Sequence, residues 1–338
     1  MTKIRWGVLG VAGIAVKKVI PAMQQAQHAE VTAIASRDPD KARAAAKTLG
    51  IPKSYGSYEE LLADPKIDAI YNPLPNHLHV PWSIKAAEAG KHVLCEKPIG
   101  LNVEDARKLI AARDRTGVKI GEAFMIVTHP QWARVLELAR HGIGEPRAVQ
   151  CAFSYTNTNP ANIRNMADIG GGGLMDIGCY GIKASRLIFN AEPVRVIGLL
   201  DLDPMFKTDR LTSAMLDFGG GRQAVFTCST QMVPYQVVQI YGALGRIEME
   251  IPFNAIPNES MWIKVDDGSQ LGGASARVET VPPCDQYTLQ ADEFSLAIQG
   301  ELRDVPVSLE DAARNMAVID AIVRSSESGH WETPVEID

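Results

Sequence analysis

Ala89-Gly90-Lys91-His92-Val93-Leu94-Cys95-Glu96-Lys97-Pro98 is the stretch on which the reading of this chain turns. It predicts a helix stopped by Gly90, a short buried strand over His92–Cys95, and a break at Pro98. The break leaves Glu96 and Lys97, a carboxylate and an ammonium, at the strand's C-terminal end. In an open parallel sheet, ligands bind outside that end of the strands. A lysine held there on a rigid element can act on a substrate. The plainer alternative is a surface Glu–Lys pair before a turn proline.

Upstream the same pattern repeats. Ile4–Leu9 is a short, mostly apolar run, followed by Gly10-Val11-Ala12-Gly13-Ile14-Ala15 and then a helical pattern. A strand, a small-residue turn and a helix N-terminus form a pyrophosphate site, because the backbone can approach the phosphates and the free N–H groups favour negative charge. Gly10, Ala12, Gly13 and Ile14 are therefore candidate cofactor contacts, although Ala12 stands where the fingerprint has its second glycine. Glu30–Ala35 reads as the second strand, and Ser36-Arg37-Asp38-Pro39 closes it at the spacing the fingerprint requires. An acid there would hold a ribose 2′-OH. Ser36 and Arg37 instead offer a hydroxyl and a guanidinium suited to a 2′-phosphate. The pattern favours NADP over NAD, with Arg37 as a solvated residue before an Asp38-capped helix as the alternative.

Ser57-Tyr58-Glu59-Glu60 reads as a capping box. Ile67–Tyr71 is a third strand, which runs into Asn72-Pro73-Leu74-Pro75-Asn76-His77-Leu78-His79, with Pro81 near the start of the next helix. Asn102 caps a helix to about Thr116, and Lys119–Ala123 is the fifth strand. Five strands separated by helices predict an α/β fold, a doubly wound parallel Rossmann sheet over residues 1–124. The turns at Gly10, Ser36, Asn72 and Glu96 share one rim, which adds Asn76, His79, Glu96 and Lys97 to the cofactor candidates. His77 and His79 have no Cys, Asp or Glu at ligand spacing, so they are expected to line the cofactor site or cap a helix, and no metal is expected.

Residues 125–338 read as a second domain for substrate binding and oligomerisation. After the helix Pro130–His141, alternating runs predict a large, open, mostly antiparallel sheet, with Gly219–Gly221 and Gly242–Gly245 as hairpin turns. The helical segments Gln286–Gln299 and Leu309–Ser326 close the chain. So few helices leave one sheet face for another subunit, which predicts a homodimer or homotetramer through that sheet. The run Gly170–Gly173 precedes Leu174-Met175-Asp176-Ile177-Gly178-Cys179-Tyr180-Gly181-Ile182-Lys183, and four glycines predict a mobile backbone before a helix. Asp176 and Tyr180 are four apart and share a helix face. An acid and a phenol make a proton-transfer set if an ammonium such as Lys97 lowers the phenol below its usual value of about 10. The alternative is a capping aspartate and a packed tyrosine. Arg164, just upstream, could bind a sugar hydroxyl or acid, or be a solvated loop arginine.

Composition removes other classes. A chain of 338 residues with 46% hydrophobic and 22% charged residues reads as a globular protein of two domains. No apolar run approaches the length of a membrane span, and Met1–Arg5 leads straight into a strand, leaving no room for a signal peptide. The net charge is −6 without a basic block, so nucleic acid is not an expected partner. Five scattered cysteines without a CxxC suit a reducing cytoplasm.

These motifs together resemble the Gfo/Idh/MocA oxidoreductase family. The carriers are Gly10–Ala15, Pro75-Asn76-His77-Leu78-His79, Ala89–Pro98 and Gly171–Tyr180. Ile51–Leu61 and Phe226-Thr227-Cys228-Ser229 resemble the branch of dimeric dihydrodiol dehydrogenases and NADP-linked D-xylose dehydrogenases. Gly173–Gly178 with Tyr180-Gly181 is also similar to glucose–fructose oxidoreductase. The resemblance implies a catalytic lysine at Lys97 and a substrate-contacting aspartate at Asp176. Many members have histidine four residues further on, where this chain has Tyr180. The implied reaction is hydride transfer between nicotinamide and an aldose C1 or a related diol, with Tyr180 taking the hydroxyl proton. An enzyme that retains its NADP, a trans-dihydrodiol dehydrogenase, a non-enzymatic sensor and a nicotinamide-dependent glycoside hydrolase are the alternatives. Whether Lys97–Pro98 is cis or trans stays open at this point.

Overall fold

The computed structural model describes residues 2–337. The chain forms two compact units: one comprises the chain through Thr128 together with Asp285–Ala313, the other His129–Cys284 and the chain from Arg314 onward.

The first unit carries a six-stranded sheet in the order β3-β2-β1-β4-β5-β6. Its strands are β1 Ile4–Leu9, β2 Ala29–Ala35, β3 Lys53–Tyr55, β4 Ala69–Asn72, β5 His92–Glu96 and β6 Ile120–Ala123, and every neighbouring pair is parallel. Between them lie α1 Ile20–Met23, α2 Pro39–Leu49, α3 Tyr58–Ala63, α4 Asn76–Glu88 and α5 Val103–Thr116. Helical winding starts at Gly13, and Ala15–Val19 is wound as π-helix ahead of α1. The helix ends follow local chemistry. Asp38 accepts the Asp40 and Lys41 N–H groups to cap α2, and Asn102 accepts the Asp105 N–H to cap α5. Gly50 and Gly117 close those helices in the left-handed conformation. Strand order reverses between β1 and β4, which is where an open parallel sheet places its ligand crevice.

The sequence reading missed β3. Lys53-Ser54-Tyr55 has no apolar alternation, and it is a strand because it pairs with Ala33–Ala35 of β2. Pro81 lies inside α4 rather than near its start.

The second unit holds α6 Pro130–His141, α7 Cys179–Phe189 and an eight-stranded sheet in the order β14-β13-β12-β11-β7-β10-β9-β8. Its strands are β7 Pro146–Thr156, β8 Arg195–Leu202, β9 Asp209–Asp217, β10 Gln223–Ser229, β11 Gln231–Gly242, β12 Arg246–Glu250, β13 Met261–Asp266 and β14 Arg277–Val281. All pairs are antiparallel except β7 with β10. Val149, Cys151, Phe153, Phe226, Cys228, Ile247 and Ile263 are buried on one face. On the other, a paired row from Ile197 through Met215 and Val225 to Lys264 and Val278 contains no buried residue.

The division of the chain is not the contiguous one expected at residue 124. Helix α8, Gln286–Gln299, belongs to the first unit. Trp6 Nε1 donates to Ser295 Oγ at 3.2 Å, and its ring meets Phe294 edge-on with centroids 5.6 Å apart. Asp292 accepts the N–H groups of Gln27 and His28. The boundary between units then falls within α9, Leu309–Ser328. Among the described residues no helix is long and apolar enough to cross a membrane.

Candidate active site

The rim above β1 has the features a dinucleotide needs. Gly10 sits at φ +82°, and its N–H donates to the Ala35 carbonyl at 2.8 Å. A Cβ there would meet Leu74 Cδ2 at 2.9 Å, so only glycine fits. At Gly13 a Cβ would meet nothing within 4 Å, so the turn opens onto space. The Val16 N–H bonds the Ala12 carbonyl as the helix begins, and the first N–H groups of a helix have no partner within it. Ala12 and Ile14 are half-buried beside that end. A cradle of this kind fits a pyrophosphate.

At the end of β2, Ser36 is buried and its Oγ accepts the Asp38 N–H at 3.1 Å, so its hydroxyl shapes the turn. Arg37 is exposed, and its guanidinium interacts with the phenol of Tyr58. Burial pushes that phenol up, while Arg37 acts in the opposite direction. The Tyr58 oxygen also lies 3.5 Å from where a Gly10 Cβ would stand. Tyr58 thus links the two parts of the rim. The sequence reading had it only within a capping box and the Ile51–Leu61 resemblance, with no role at the rim.

The β4 and β5 ends are tied together from beneath. Asn72 is fully buried, and its Nδ2 donates to the His79 carbonyl and to Ser83 Oγ, both at 3.0 Å. His79, expected among the cofactor contacts, has both ring nitrogens beside backbone carbonyls. It is 1% exposed, with Nδ1 2.8 Å from the Pro98 carbonyl and Nε2 2.6 Å from the Leu74 carbonyl. Burial lowers it to about 4, so the ring is neutral and donates to one of those carbonyls only. His79 therefore braces the loop that carries Lys97. Glu96 has a similar part: its carboxylate accepts the Tyr71 hydroxyl at 2.6 Å and the Lys97 N–H at 3.3 Å. Burial and that carboxylate push the Tyr71 phenol well up. Lys97 is half-buried, and the Lys97–Pro98 bond is cis. Asn76 is half-buried and opens α4.

The second unit builds a polar cluster at the start of α7. Asp176 Oδ2 accepts the Tyr155 hydroxyl at 2.6 Å and Arg164 Nε at 2.8 Å. Desolvation and the Asp176 charge push the Tyr155 phenol up. Arg164 is raised chiefly by Asp176. Tyr180 is 4% exposed, and its ring lies 5.6 Å from Phe153 and 5.0 Å from Phe253. Lys97 belongs to the first unit and these residues to the second. Tyr155 was missed by the sequence reading. Its signal was present, because the β7 alternation puts Cys151, Phe153 and Tyr155 on one face.

The glycine run is packed, contrary to the mobile backbone expected of it. The Gly171 N–H donates to the Met166 carbonyl and the Gly172 N–H to the Arg164 carbonyl, both at 2.9 Å. A Gly171 Cβ would stand 2.6 Å from the Arg164 carbonyl, and Gly172, at φ +122°, would place one 2.0 Å from Asp209 Oδ1. Asp209 is buried, and its Oδ2 accepts the Leu174 N–H and the Thr212 hydroxyl, both at 2.7 Å. The glycines are small so that this carboxylate can reach the helix start. Gly172→Ala is expected to destabilise the protein by about 2–4 kcal/mol, through strain at positive φ and collision with a buried carboxylate. Denaturant titration of the two proteins measures it.

Burial pushes Asp209 up to about 6 against these donors. Its folded value lies above the unfolded value of about 3.9, so the stabilisation from its protonated form is full below about pH 4. That stabilisation is lost as pH rises through about 6. The expected gain on going from pH 7 to 5, relative to an Asp209→Asn variant, is part of a total of up to about 3 kcal/mol. Unfolding free energies of both proteins at the two pH values test the sign. An equal slope in the variant would remove Asp209 as the titrating group.

A parallel sheet with an open glycine cradle at its switch point, joined in one chain to a polar cluster on a separate open sheet, defines a dinucleotide-linked α/β oxidoreductase. The chain belongs to the Gfo/Idh/MocA family. Residues 4–124 match that family's oxidoreductase model with its NAD-binding Rossmann fold, and residues 133–248 match the family's C-terminal domain model. It is 53% identical over 334 residues to the uncharacterized oxidoreductase ORF334 of Rhizobium meliloti, covering 98% of this chain and 100% of the relative. It is 38% identical over 336 residues to D-xylose 1-dehydrogenase (NADP(+)) 2 of Haloferax volcanii, covering 98% and 99%. Among solved structures, a 3-ketoreductase from Actinomadura kijaniata in complex with NADP and TDP-benzene is similar at a TM-score of 0.89 and 30% identity. That match covers 96% of this chain and 98% of the other. The chain is an oxidoreductase with an NAD(P)-binding Rossmann domain, as the motifs implied.

Proposed function

We propose that this enzyme is an NADP-dependent sugar dehydrogenase, oxidising an aldose at C1 or running the reverse reduction. The observation that carries the reading is the Tyr155–Asp176–Arg164 cluster, a charged set of donors and acceptors of the kind that orients a polyhydroxylated substrate. The D-xylose dehydrogenase relative supports the same class. Gly10, Ala12, Gly13 and Ile14 would hold the pyrophosphate, and Ser36 and Arg37 the adenosine ribose with its 2′-phosphate. Bound there, the nicotinamide supplies the hydride chemistry. Lys97 contributes a fixed positive charge on the same rim, Asp176 and Arg164 orient the substrate hydroxyls, and Tyr180 takes the proton of the reacting hydroxyl. Asn76 completes the cofactor contacts, while Glu96 fixes Lys97 from behind. The open face of the second sheet would join subunits as a dimer or tetramer, and the free cysteines suit a cytoplasmic setting.

The test is absorbance at the reduced-nicotinamide band with aldoses, polyols and dihydrodiols, each with NADP and with NAD. Reduction of NADP by an aldose supports the proposal. Turnover with diols alone would replace the substrate class. Absence of turnover with cofactor retained through gel filtration would favour an enzyme that never releases its NADP. Arg37→Ala is expected to raise the KM for NADP by roughly 10–100-fold, the loss of one charge-assisted phosphate contact, and to leave that for NAD little changed. Steady-state kinetics with the two cofactors measures the difference.

A further inference from the structure

We propose that Cys284 is a peroxide- and electrophile-reactive thiol, a covalent modification site set up by His129. The Cys284 sulfur lies 3.2 Å from His129 Nε2. His129 is 2% exposed, and its Nδ1 accepts the Gln131 N–H at 3.1 Å as the cap of α6. That bond sets the tautomer. In a neutral imidazole the accepting nitrogen carries no proton, so Nε2 carries it and directs it at the sulfur. A donor aimed at the sulfur stabilises thiolate over thiol. With its proton on Nε2, His129 acts toward the sulfur as a hydrogen-bond donor and not as its base.

The position adds to this. Cys284 directly precedes Asp285 in the chain. The residue is half-exposed, whereas Cys95, Cys151, Cys179 and Cys228 are buried. Burial pushes the Cys95 and Cys228 thiols up, and that of Cys151 up to about 12, which leaves them inert at neutral pH. Neither Cys284 nor His129 has a part in the proposed dehydrogenase reaction.

The chemistry balances with hydrogen peroxide as oxidant. The thiol proton passes to solvent, the thiolate attacks one peroxide oxygen, an S–O bond forms and the O–O bond breaks. Sulfur loses two electrons, the leaving hydroxide takes a proton to become water, and the product is a sulfenic acid. With iodoacetamide an S–C bond forms, the C–I bond breaks and iodide leaves.

The full-length enzyme is labelled at pH 7 with less than one equivalent of iodoacetamide and mapped by peptide mass. A second sample is treated with hydrogen peroxide and dimedone, which traps sulfenic acid. Cys284 is expected to carry the first equivalent and the dimedone adduct, and Cys284→Ser to lose both. His129→Asn keeps an acceptor for the Gln131 N–H but removes the donor to sulfur, so labelling of Cys284 is expected to slow by about tenfold. A second measurement needs no variant: at pH 6, Cys284 is expected to react severalfold faster in the folded enzyme than in urea. A first equivalent on another cysteine, an equal rate in His129→Asn, or faster reaction in urea would each overturn the proposal.

Discussion

Tyr180→Phe is expected to lower kcat by roughly 10²–10⁴-fold, the usual worth of a general acid or base. The substitution isolates chemistry from packing. Tyr180 is 4% exposed, and its ring rests on Phe153 and Phe253, contacts that a phenylalanine ring preserves. Only the hydroxyl is lost. Single-turnover kinetics at saturating substrate reads the chemical step, and a thermal melt checks the fold. Unchanged turnover would move the proton-transfer role away from Tyr180. Tyr155 would not inherit that role easily, because its phenol is pushed up and already committed to Asp176.

Lys97→Met should lower kcat/KM by roughly 10²–10³-fold, the scale of removing one preorganised charge or donor from a reacting centre. Methionine keeps most of the aliphatic stem and removes the charge. The loop itself should survive, since the Glu96 carboxylate accepts the Lys97 N–H and the buried His79 ring sits 2.8 Å from the Pro98 carbonyl. NADPH binding followed by fluorescence separates the two ways of losing activity. Retained binding with lost turnover places Lys97 in the chemistry, and lost binding with normal turnover at saturation reduces it to a cofactor anchor. Full activity would remove it from the site.

Much of the site was legible because its chemistry lies in short, local motifs. The turn at Gly10, the arginine after β2 and the Glu-Lys-Pro break after β5 are each set by residues adjacent in sequence. Asp176 could be found for the same reason. Its partners could not, since Tyr155 and Arg164 come from a strand and a short 3-10 helix 21 and 12 residues away. The family resemblance pointed at motifs without telling a side chain open to a ligand from one packed inside the protein. His79 shows the difference: as a motif residue it looked like a cofactor contact, and only its burial between two carbonyls reveals a tie between loops.

Sequence by itself determined the strand–turn–helix alternation, the helix caps, the cofactor class and the split into a parallel and an antiparallel sheet. All of these depend on backbone propensity and side-chain period over a few residues. Tertiary structure alone decided that Lys53–Tyr55 is a strand, that α8 packs on Trp6, and that the glycines before α7 are close-packed. An amphipathic pattern says which face of an element is buried but not against what. A glycine run says that no side chain is present, and only the position of Asp209, 37 residues beyond Gly172, explains why none would fit.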